Sequence, residues 1–116
     1  LRSMAFLLTV TGFEVTTASS ASEALSLLEG APPHLIIADA EMSQMDGYEF
    51  LSTVRAKPHL SSTPIVLTSA NYELDDLMRA LDLGADDFIP KPFDIYDLLD
   101  AIRRNMRVPH LQRMAS

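Results

Sequence analysis

The chain has 116 residues, of which 47% are apolar, so it is one domain with enough apolar material for a core of its own. It has no cysteine, which excludes disulfides and thiol chemistry and suits a reducing compartment. A net charge of −7 argues against direct nucleic-acid binding, and no apolar run has the roughly 18–20 residues of a membrane span. Nothing at the start has the charged lead and small-residue cleavage site of a signal peptide, so the expected location is cytoplasmic.

Short apolar runs alternate with helical periods. Leu1 to Thr11 carries Met4, Leu7 and Leu8 at helical spacing and stops at Gly12. Glu14 to Ala18 is short and β-branched at Val15, Thr16 and Thr17, which predicts a strand. Ser20 and Glu23 form a capping-box pattern before Ala24, Leu25, Leu27 and Leu28, and Gly30 ends that helix. After a Pro32-Pro33 loop, Leu35 to Ala38 is a continuous apolar run, the pattern of a strand buried on both faces. Asp46-Gly47 opens a helix with Tyr48, Leu51 and Val54 on one stripe. Pro64 precedes a second buried run, Ile65 to Leu67. Asn71 is the expected cap of a helix bearing Leu74, Leu77, Met78 and Leu81, which stops at Gly84. Asp87 to Pro90 is a short strand around Phe88 and Ile89. Asp94 caps a last helix with Ile95, Leu98, Leu99 and Ile102, and Arg103, Arg104 and Arg107 suit its carboxyl-terminal dipole. Residues 108–116 have no period and form a tail or the start of a linker.

This alternation predicts a parallel sheet covered on both faces, with chemistry at the carboxyl ends of its strands. Asp39 follows the first buried run, Thr68-Ser69-Ala70 the second, and Lys91-Pro92 the strand around Ile89. Alone, each has a plainer role: Asp39 as a turn or cap residue, Ser69 as polar punctuation, Lys91 as a surface cation. Together, a carboxylate, a hydroxyl and an ammonium on one sheet edge suit phosphoryl transfer to the carboxylate.

The motifs at these ends resemble those of response-regulator receiver domains. Asp39-Ala40-Glu41-Met42-Ser43-Gln44-Met45-Asp46-Gly47 is similar to their D-x-x-M-P-x-M-D-G signature. Pro64-Ile65-Val66-Leu67-Thr68-Ser69-Ala70 resembles their fourth strand, and Gly84-Ala85-Asp86-Asp87-Phe88-Ile89-Pro90-Lys91-Pro92-Phe93 their G-A-D-D-[FY]-x-x-K-P-F segment. The likeness runs from about Leu1 to Arg107. It implies an α/β, flavodoxin-like (CheY-like) doubly wound parallel sheet of order 2-1-3-4-5, with residues 1–107 as the receiver and 108–116 as tail or linker.

It further implies that Asp39 is the phosphoacceptor and that Ser69 and Lys91 bind the phosphoryl group. Phe88 would be the aromatic switch that moves with Ser69, or else a plain core aromatic. Lys91-Pro92 would be a cis peptide, and Glu41 would offer its backbone carbonyl to Mg²⁺. The implied role is regulatory, with no enzymatic activity beyond self-catalysed phosphotransfer and autodephosphorylation. A sensor histidine kinase or phosphotransfer protein would supply the phosphoryl group. An output domain or partner would read the face of the fourth helix, fifth strand and fifth helix, which includes Arg79, Asp87, Phe88 and the Asp97 to Arg104 helix. Neither nucleic acid nor membrane is an expected partner.

The chain departs from that pattern in three places. The family's first strand, which ends in two adjacent acidic residues that help to hold Mg²⁺, has no counterpart before the helix that starts at Leu1. Ser43 stands where the family has proline, and Glu41 lies beside the metal site. The first strand belongs in the middle of the sheet. Its absence implies either a segment of a longer receiver or a truncation closed by direct strand pairing or a swapped partner, which makes a homodimer an option. With Asp39 and Glu41 as its acids, the 116-residue chain is expected to bind Mg²⁺ weakly and to be phosphorylated poorly. The main alternative is a receiver-like interaction module that acts without phosphorylation. A phosphatase of the haloacid-dehalogenase type is disfavoured, because it needs a second Asp two residues after the nucleophile, where Glu41 stands.

Overall fold

The computed structural model describes residues 2–42 and 45–106. Ser43, Arg107 and the tail at 108–116, each singled out by the sequence, lie outside the described residues. The elements are α1 (Arg2–Val10), α2 (Ala21–Leu27), β1 (Ile36–Asp39), α3 (Gly47–Arg55), a short 3₁₀ turn (Pro58–Leu60), β2 (Ile65–Ser69), α4 (Leu74–Asp82), β3 (Asp87–Pro90) and α5 (Ile95–Asn105).

The three strands form a parallel sheet in the order β1-β2-β3. Ile36 pairs with Ile65 and Asp39 with Thr68; Leu67 pairs with Phe88 and Ser69 with Pro90. This register brings the last residues of the strands level with one another. Alternation along each strand sorts the core onto two faces. Ile36, Ala38, Ile65 and Leu67 pack with Leu51 and Val54 of α3 and Ala80 of α4. Val66 and Ile89 pack on the other face with Leu8 of α1 and Leu98, Ala101 and Ile102 of α5. The sheet is therefore wound on both sides, as the alternation predicts. Fully buried side chains such as Leu51, Val54, Leu67 and Leu98 each contribute about 1.5–3 kcal/mol by leaving water.

The helix starts follow local chemistry. Ser20 Oγ accepts the Glu23 N–H at 3.1 Å and opens α2. Asp46 Oδ1 accepts the Glu49 N–H at 2.8 Å and opens α3. Asp94 and Asp97 cap α5 reciprocally, each accepting the other's backbone N–H at 2.9 and 3.0 Å.

Two local expectations are corrected. Residues 14–18 form no strand and pair with none. β-branched residues favour extended backbone, but a strand exists only where a ladder partner does. Val15 still packs, half-buried, against the Val66–Ile89 cluster. The cap of α4 is Glu73 rather than Asn71: Glu73 and Asp76 make a reciprocal capping box. The Asn71 N–H instead donates to Ser69 Oγ at 3.0 Å, which ties the loop to the end of β2. The apolar residues of α4 are also less buried than their spacing suggests. Leu74, Met78 and Leu81 are exposed, and Ala80 makes the close contact with the sheet.

Candidate functional site at the carboxyl ends of the strands

Asp39 is the last residue of β1, held between two backbone clamps. The Ala40 N–H continues the ladder to Thr68 O at 2.8 Å, and the Gly47 N–H donates to Ala40 O at 3.0 Å. Gly47 is what lets α3 start this close. A Cβ there would overlap Ala40 Cα and lie 2.7 Å from Asp39 O. The Asp46-Gly47 pair thus caps a helix and admits it to the strand end in one step.

Lys91 arrives from the far side of the sheet. Its N–H donates to Ser69 O at 2.8 Å, so the chain leaving β3 is fixed to the end of β2, and the Lys91–Pro92 peptide is cis as expected. Lys91 Nζ donates to Asp39 Oδ1 at 2.8 Å, and the same oxygen accepts the Glu41 N–H at 2.9 Å. Ser69 is almost fully buried. Asp39, Ser69 and Lys91, separated by tens of residues in the chain, therefore share one sheet edge as the strand ends predict.

The sequence placed Glu41 beside the metal site but did not anticipate what its side chain holds. Its Oε2 accepts the Ser69 hydroxyl at 2.7 Å, and its Oε1 accepts the Ala70 N–H at 2.8 Å and Lys91 Nζ at 3.1 Å. Burial alone would raise the Glu41 pKa. The hydrogen bonds from Ala70, Ser69 and Lys91, with the charge of Lys91, outweigh it and hold the carboxyl below its ordinary value. Burial likewise tends to lower the Lys91 pKa, but hydrogen bonds and charge from Asp39 and Glu41 raise it overall. One ammonium thus serves two carboxylates, leaving the site with a formal excess of negative charge.

Mg²⁺ asks for carboxylate and phosphate oxygens plus water. Asp39 fits as one such ligand, since among the described residues its Oδ2 accepts no hydrogen bond. No group of three or more metal-binding side chains occurs among the described residues.

Phe88 is half-buried against the cluster of Leu67 and Ala85, next to the strand end that carries Ser69. Tyr48 is buried beside the site with the Arg79 guanidinium 4.1 Å from its ring centroid, and its hydroxyl has no partner among the described residues. Burial, reinforced by the charge of Asp76, raises the Tyr48 pKa, although Arg79 opposes this.

A parallel sheet wound on both faces, with an aspartate, a buried hydroxyl and a lysine at adjacent strand ends, defines a receiver-type domain. The response regulator receiver domain family matches residues 1–103. The transcriptional regulatory protein KdpE of Mycobacterium tuberculosis is 34% identical over 97% of this chain and 50% of its own. The chemotaxis protein CheY4 of Vibrio cholerae superposes with a TM-score of 0.85 at 30% identity, over 90% of this chain and 87% of that one. The signal receiver domain of a histidine kinase from Syntrophus aciditrophicus gives a TM-score of 0.80 at 31% identity, over 90% of this chain and 80% of that one. The chain belongs to the response-regulator receiver family and is a domain of two-component signalling. It spans about half the length of KdpE.

Proposed function

We propose that Asp39 accepts a phosphoryl group from a sensor histidine kinase or phosphotransfer protein, and that Ser69 and Lys91 bind the transferred group. A carboxylate oxygen of Asp39 attacks phosphorus, the bond from phosphorus to the donor breaks, and the donor leaves with the electron pair. Lys91 balances the charge on the phosphoryl oxygens and Ser69 donates a hydrogen bond to one of them. Mg²⁺, when bound, would supply further positive charge there, with the Asp39 carboxylate and the Glu41 backbone carbonyl as its ligands from this segment. The observation that carries the reading is the contact of Lys91 Nζ with Asp39 Oδ1 at 2.8 Å, at the strand end next to Ser69.

Residues 1–107 would be the receiver and 108–116 its tail or linker. The domain would act in the cytoplasm as a switch, with self-catalysed phosphotransfer and autodephosphorylation as its own chemistry. No helix among the described residues is long and apolar enough to cross a membrane. Phe88 would transmit the change by following Ser69 inward. The reading face for an output domain, partner or second copy is α4, β3 and α5. Leu74, Met78, Leu81 and Tyr96 are exposed on its helices, and Asp87 binds Arg104 and Asn105 across it.

Acetyl phosphate and Mg²⁺, followed by intact mass, test the reading on the whole protein as encoded. The expected result is a gain of one phosphate that Asp39→Asn abolishes. No gain in the unsubstituted protein, or an undiminished gain in Asp39→Asn, would sink it. The first of those outcomes would favour an interaction module that works without phosphorylation.

A further inference from the structure

We infer that the Glu41 carboxylate is an internal occupant of the phosphoryl cradle, and that it must swing out before Asp39 can be phosphorylated. The inference rests on Asp39 being the acceptor.

The cradle has three donors: the Ser69 hydroxyl, the Ala70 N–H and the Lys91 ammonium. All three are engaged by Glu41, at 2.7, 2.8 and 3.1 Å. A phosphoryl group on Asp39 presents three oxygens bearing nearly two negative charges. It needs the same hydroxyl and ammonium, and its charge would repel a carboxylate held beside it. The two anions therefore compete for one set of donors, and binding one displaces the other.

The local backbone suits such a movement. The Glu41 N–H is pinned to Asp39 Oδ1 at 2.9 Å, so the main chain stays in place while the side chain changes rotamer. The Glu41 side chain is 36% exposed and has solvent to turn into, while Ser69 is 1% exposed and stays. An ordinary surface ion pair would engage Lys91 alone. Glu41 also takes a buried hydroxyl and a backbone amide, which a carboxylate at this place does not need for solubility. Glu41 is thus a brake on phosphorylation and a determinant of how readily a donor is accepted.

The test is the phosphorylation rate with acetyl phosphate and Mg²⁺, read by intact mass on the whole protein, for the unsubstituted chain, Glu41→Ala and Glu41→Gln. Glu41→Ala should be faster by about tenfold, the equivalent of about 1.4 kcal/mol, which is one charge-assisted hydrogen bond. Glu41→Gln keeps the shape, loses the charge and should fall between. A second reading needs no phosphorylation: the ¹H–¹⁵N signal of the Ala70 amide should move upfield in Glu41→Ala as its carboxylate acceptor is lost. An Ala70 amide that does not move, or a rate equal to or below that of the unsubstituted protein in both variants, overturns the inference and leaves Asp39 as acceptor. If no variant gains phosphate at Asp39, the acceptor reading itself falls, and the brake with it.

Discussion

At the amino ends of β2 and β3, Arg55 donates to the carbonyls of Gly84, Leu60 and Thr63 at 2.9, 3.0 and 2.8 Å and to Asp86 Oδ2 at 2.7 Å. Asp86 Oδ2 in turn accepts the Ile65 N–H at 2.8 Å. At the carboxyl ends, Lys91 holds two carboxylates, and one of these also holds Ser69 and Ala70. Both clusters tie separate segments together through a cation. They differ in what answers it. Arg55 is answered mainly by main-chain carbonyls that cannot leave, around Gly84, whose φ of 105° and missing Cβ make room for the guanidinium. Among the described residues, the Lys91 ammonium is answered by side chains alone, which can be exchanged for another anion. A fixed cluster stabilises a fold, whereas an exchangeable one can bind.

The comparison can be broken most forcefully at Arg55. Arg55→Ala should cost about 2–3 kcal/mol, or about 10 °C in Tm, because it removes the guanidinium donor from three carbonyls and the cation from Asp86. Arg55→Lys should recover little of that, since an ammonium cannot fork to all four acceptors. Thermal unfolding checks both, and a loss below about 1 kcal/mol for Arg55→Ala would put the two ends on equal terms.

Gly47→Ala comes next. It should cost about 1–3 kcal/mol by forcing α3 away from Ala40, and it should slow phosphorylation of Asp39 by more than the lost stability explains. Unchanged kinetics in a folded Gly47→Ala protein would show that the clamp does not position Asp39.

The smallest effect is expected at Asp39 itself. Asp39→Asn should abolish phosphate uptake yet shift stability by less than about 1 kcal/mol, because Lys91 keeps Glu41 and one of two crowded carboxylates is neutralised. Denaturant unfolding checks it, and a large loss would make the carboxyl-end cluster as structural as the Arg55 one.

What the sequence revealed and what it hid follow from range. The meeting of Asp39, Ser69 and Lys91 on one sheet edge was legible because buried apolar runs announce strands, and strand ends in a parallel sheet converge. The fold followed from the same alternation. Asn71 was mistaken for the cap of α4 because side-chain capping is decided by a residue or two, and Glu73 with Asp76 offers a two-way cap that Asn71 does not. Residues 14–18 carry strand composition but no ladder partner, which composition cannot supply. Glu41 was read only as an acid beside the metal site, and its bonds to Ser69, Ala70 and Lys91 were missed, since those partners lie 28, 29 and 50 residues away. The one available signal was chemical: a second acid two residues past Asp39, the proposed acceptor.

Those separations bear on how the chain folds. The caps that start α3 and α5 join residues three apart and can form early, whereas Asp39 and Lys91 lie 52 residues apart and meet only when β1, β2 and β3 are all in register. The proposed phosphoryl cradle is therefore among the last features to be completed. A chain caught before β3 docks holds an Asp39 with no ammonium beside it, so on the proposed reading a newly made or damaged copy would take up no phosphate until its whole sheet is built.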